Sequence, residues 1–112
     1  MKNSEIISYL NDKAFARKTC LQLIKEFDYI GIALPLDPDC NDQNKIEQII
    51  AEELTSISSQ RSELFAQLLY RVDIPEQGVK KTIATSNEVM SDLAHAFLIR
   101  VAQKIYLRER FS

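Results

Sequence analysis

The chain has 112 residues, a net charge of −2, 46% hydrophobic side chains and 27% charged ones. That length and balance suit one globular domain, residues 1–112, with a core of its own. They exclude extended disorder and leave no electrostatic footprint for nucleic acid or an acidic membrane. One histidine, two glycines and no tryptophan exclude multi-histidine metal sites and glycine-rich phosphate loops.

Apolar residues return every three or four positions through most of the chain, the spacing of amphipathic helices. Ser4 is placed to cap the first helix, with Glu5 suited to its positive end. Ile6, Leu10, Ala14, Leu21 and Ile24 share one face, which Cys20 and Phe27 widen. Asn11 and Asp12 offer a restart point within it. Gly31 suits the left-handed residue that closes such a helix.

Residues 29–40 (YIGIALPLDPDC) are the least helical. Pro35 and Pro38 bias Leu34 and Asp37 toward extended backbone, so this stretch reads as an apolar loop over the core. Asn41 or Asp42 then caps a second long helix. Its stripe is Ile46, Ile49, Ile50, Leu54 and Ile57, and a second stripe follows at Leu64, Phe65, Leu68, Leu69 and Val72. The two are in phase, because Leu64 follows Ile46 by about five whole turns at 3.6 residues each. The phase predicts one helix over 43–72, bent near Ser56, Ser58 and Ser59. The alternative is a new start at those serines.

Pro75 fits the start of a short connecting helix, with Asp73 as its cap and Val79 and Ile83 facing inward. Ser86 or Asn87 caps the last helix, which runs to about Arg110. The predicted fold is all-α: a small up-down bundle of three long helices plus one short connecting helix.

Ionisable side chains within the apolar stripes are the first functional candidates. Arg17, Glu53 and Arg61 each share a face with core residues, and a buried charge needs a partner. They predict a buried polar cluster, with Glu53 paired to Arg17 or Arg61. A ligand or catalytic pocket around these three is one reading of function. His95 is the lone imidazole and has Glu88 and Asp92 at helical neighbour spacing. A two-metal site needs that carboxylate–histidine motif twice, and it occurs once, so no metal and no cofactor is predicted.

The last helix carries more apolar surface than one face requires. Met90, Leu93, Ala94, Phe97, Leu98, Val101 and Ile105 span an arc of roughly 140°, and Ile99, Ala102 and Tyr106 continue beyond it beside His95. Such a helix either is central in the bundle or turns its second face to another subunit. The leading expectation is a non-enzymatic helical interaction module. It self-associates as a homodimer through Ile99, Ala102, Tyr106 and His95, or takes a helical protein partner.

A small DNA-binding regulator using Arg100, Lys104 and Arg108 is the alternative. Residues 74–94 have a helix–turn–helix outline, but Asn87, Glu88, Ser91 and Asp92 stand where a recognition helix needs cations. The cations at the chain's end also suit the negative end of a helix dipole. Nucleic acid is therefore disfavoured. No apolar run is long enough to span a bilayer and no secretory leader is recognisable, so no membrane partner is expected. Cys20 and Cys40 lack metal-ligand spacing and fit a reducing, cytoplasmic setting, with a single disulfide between them left open.

Overall fold

A computed structural model describes residues 3–111. Among them are six α-helices and no strand. The helices are α1 (Asn3–Tyr9), α2 (Lys13–Tyr29), α3 (Gln43–Gln60), α4 (Ser62–Arg71), α5 (Glu76–Thr85) and α6 (Val89–Phe111). The expected all-α fold is present. Two of the predicted long helices are each divided in two.

The first division falls at the predicted restart. Asp12 has extended backbone, and its carboxylate accepts from the amides of Ala14 at 2.8 Å and Phe15 at 3.2 Å, which opens α2 as a capped helix. Ser4 lies inside α1 rather than before it. At the far end of α2, Gly31 takes φ +81°. The amides of Gly31 and Ile32 donate back to Asp28 and Phe27, closing the helix as its glycine predicted.

The second division corrects the prediction of one helix over 43–72. Asp42 caps α3 by accepting from Asn44 and Lys45, as expected. The helix then ends at Gln60, where Arg61 leaves helical geometry at φ −144° and ψ 73°. Thr55, Ser58 and Ser59 donate their hydroxyls to carbonyls three or four residues back. Such bonds compete with the helical ladder and bend it. Periodicity cannot detect a single residue out of line, and one suffices to let α4 turn toward α2.

A third correction concerns Asp73. It does not cap α5; it ends α4. Its φ is +62°, and the amides of Asp73 and Ile74 donate to Tyr70 and Leu69 in the pattern that Gly31 makes after α2. Pro75, extended at φ −60°, precedes α5 without a side-chain cap. Ser86 bridges into α6, accepting from the Glu88 amide at 2.9 Å and donating to Asp92 at 2.6 Å.

The helix α6 is the spine. It packs against α1, α2, α3 and α5. Leu93, Ala94, Phe97, Leu98, Ile99, Val101, Ala102 and Ile105 are all buried, covering about 240° of its circumference at 100° per residue. Around it lie Ile6 of α1, Leu23 and Phe27 of α2, and Ile46, Ile50 and Leu54 of α3. Phe27 and Phe97 meet at the centre with ring centroids 5.5 Å apart. The loop after α2 lies over this core as predicted, with Leu34 and Leu36 buried. The Cys20 thiol donates to the Cys40 carbonyl at 3.3 Å and helps to hold that loop, and both cysteines are free thiols. Burial pushes the Cys20 thiol up to about 12, which keeps it protonated and inert.

Candidate functional site

The predicted polar cluster does not assemble. Arg17 is exposed and pairs with Asp39 of the loop. Glu53 is half-buried along α3, and Arg61 is exposed at the break after it. Each satisfies its charge locally or in solvent, as long side chains at the edge of an apolar stripe do.

The residues expected at a subunit contact divide in two. Ile99 and Ala102 are inside the chain's own core. Of the two options for the last helix, central packing accounts for both. Tyr106 is half-exposed and covered by α1, its ring 5.3 Å from that of Tyr9, with the Arg110 guanidinium 5.8 Å from its centre. His95 turns to α3 rather than to Glu88 or Asp92. Its Nδ1 lies 2.9 Å from Glu47 Oε2, and the Gln43 amide donates to that same oxygen at 2.7 Å. Among the described residues no group of three or more His, Cys, Asp or Glu side chains is disposed to hold a metal.

The charged assembly that does form joins α2, α4 and α6. Glu26 is buried, its side chain 9% exposed, with Arg71 Nε 3.3 Å from its carboxylate and Gln22 donating to it at 2.9 Å. The Arg71 guanidinium stacks on Tyr29, 3.6 Å from the ring centre. Its Nε is shielded from solvent and lies off hydrogen-bonding direction, so the attraction there is electrostatic. Lys104 completes the group, 3.0 Å from Asp73 and 3.4 Å from the Arg71 carbonyl, with Arg100 3.8 Å from Asp73. The sequence carried one overlooked signal: Glu26 sits between Leu23 and Phe27 on the apolar face of α2. Its partner comes from a helix whose direction depends on the break at Arg61.

The hydrogen bond from Lys104, that ammonium's charge and a smaller pull from Arg100 hold the Asp73 carboxyl below its usual range. A depressed carboxyl stabilises the fold above its unfolded pKa and loses that contribution as pH falls through its folded one. Asp73→Asn keeps a residue that tolerates left-handed backbone but removes the charge. Thermal melts at neutral pH and at about pH 3 should therefore show a smaller acid-induced loss in the variant than in the wild type.

Beyond these contacts the surface has two concave regions of interest. One lies between α4 and α5, a groove of 530 Å³ lined by Phe65, Leu69, Tyr70, Ile74 and Val79, with Glu76 and Lys80 at its rim. None of the ten residues of α5 is fully buried. Tyr70 is 85% exposed and Ile83 59%. Ile83 was expected to face inward; it extends the Val79 stripe outward by one turn. The other region lies between α2 and α6 and is lined by charged residues. No helix among the described residues is long and apolar enough to cross a membrane. Compared with known proteins, the chain matches no family model, no curated protein and no solved structure.

Proposed function

We propose that this chain is a non-enzymatic helical interaction module that acts as a homodimer through its α4–α5 face. The observation that carries the reading is a helix that rests on α6 without a single fully buried residue of its own. Half-buried Val79 lines a groove of 530 Å³ together with Tyr70 and Ile74, and Ile83, one turn further along α5, is exposed. Contiguous apolar surface of this kind marks a contact site in a stable protein.

Its rim suits a second copy. Glu76 and Lys80 are one turn apart and pair at 3.3 Å while largely exposed. A two-fold axis beside α5 sets each Glu76 against the other copy's Lys80, so the charges complement themselves. This moves self-association away from Ile99 and Ala102, which α6 uses to build the monomer. Two free thiols support a reducing, cytoplasmic setting.

Sedimentation equilibrium is expected to show twice the 12.9 kDa chain mass at micromolar concentration. Tyr70→Glu and Ile83→Glu should each weaken the dimer by about tenfold or more. Both side chains are largely exposed, so each variant should keep its stability within about 0.5 kcal/mol. A wild-type chain that stays monomeric at high micromolar concentration overturns the reading, as does a dimer that both substitutions leave intact.

A further inference from the structure

Two clefts between α2 and α6, of 250 and 380 Å³, share Gln22 and Arg108 and form one groove. Lys18 and Lys25 of α2, Arg71 of α4, and Lys104 and Arg108 of α6 line it, against Glu26 and Glu109. The surplus is three positive charges in a chain whose net charge is −2. The dipole of α6 explains Arg108, which lies in its last turn. It does not explain the cations of α2, whose last turn has none. Within the groove Lys18 pairs with Glu109, Arg71 with Glu26 and Lys104 with Asp73. Lys25 and Arg108 have no anionic partner among the described residues.

The floor between these cations is apolar. Leu21 lies there with 45% of its surface exposed, above Ile105, which is itself buried. Lys18, Leu21, Gln22 and Lys25 fall on one face of α2 about 10 Å long, and Lys104, Ile105 and Arg108 repeat the pattern on α6. Two neighbouring helices with cationic rims and an apolar seam leave the place where a third helix packs.

We propose that the α2–α6 groove binds an acidic amphipathic helix of a partner protein. Its carboxylates meet Lys25 on one wall and Arg108 on the other, and its apolar stripe covers the exposed Leu21. Nucleic acid fits less well. Among the described residues the groove's lining has no aromatic ring on which bases could stack, and its cations span only about three phosphates of one strand. The groove uses other helices than the α4–α5 face, so the two proposals stand or fall separately.

The test is a titration of the full ¹⁵N-labelled chain with a synthetic helical peptide bearing a leucine stripe flanked by glutamates. Amide shifts are expected at Leu21, Gln22, Lys25, Ile105 and Arg108. Affinity should drop about tenfold or more on raising the salt, on changing the peptide's glutamates to glutamine, or in the Lys25→Glu/Arg108→Glu variant. Circular dichroism checks that this variant is folded; Lys25→Gln replaces it if it is not. Absent shifts at millimolar peptide, or shifts elsewhere on the chain, overturn the proposal. So does an oligothymidylate that moves the same amides at lower concentration than the peptide.

Discussion

A carboxylate at Ala102 is expected to abolish cooperative folding. The Ala102 side chain is fully buried on α6, the helix against which α1, α2, α3 and α5 all pack. Ala102→Asp asks that site to hold a larger, charged group with no cation provided for it. An unpaired buried charge costs several kcal/mol even after relaxation. A domain of this size has about 5–15 kcal/mol in total. The variant should show no sigmoidal melt, or one lowered by tens of degrees. Leu107→Asp is the control, because Leu107 is on the same helix but exposed; its stability should stay within about 0.5 kcal/mol. The comparison also separates the two accounts of the last helix. If Ala102 lay at a subunit contact, Ala102→Asp would yield a folded monomer.

The second large effect is expected at Phe97. It has no exposed surface, and its ring meets that of Phe27, equally buried, where α2 and α6 join. Phe97→Ala removes the largest side chain that α6 places in the core and leaves a void that main-chain packing limits in its collapse. The loss should be about 3–5 kcal/mol. In urea the unfolding midpoint should drop while the slope of free energy against denaturant stays unchanged, since the surface exposed on unfolding is nearly the same. Phe111→Ala supplies the contrast, because Phe111 is exposed at the end of the same helix. A loss at Phe97 below about 1 kcal/mol would place the centre of packing elsewhere.

What could be read from the residues followed interaction range. Asp12 and Asp42 accept from amides two and three residues on, Gly31 donates its own amide to the carbonyl three residues back, and the roles of all three were legible. The stripes of α2, α3 and α6 identified most of the core, because burial follows the helical period. Three things were not legible. The break at Arg61 changes two torsions and leaves the apolar rhythm intact. Asp73 closes α4 behind it rather than capping α5 ahead of it, and an aspartate near a proline fits both roles. The pairings of Glu26 with Arg71 and of His95 with Glu47 join helices far apart in sequence, and the first depends on the very turn that periodicity missed. The expected cluster of Arg17, Glu53 and Arg61 fails for the same reason: sharing an apolar face does not say which neighbour that face meets.

The position of α6 in the chain sets the order of events during synthesis. It is translated after α1 to α5, yet most of their oily faces close on it. At about 5–20 residues per second, its 23 residues take seconds to appear. For that interval the earlier helices have no scaffold, and Ile6 must wait for partners almost a whole chain length away. Contacts so distant are slow to form. The apolar faces of α1, α2 and α3 therefore gain their main cover only once α6 is present.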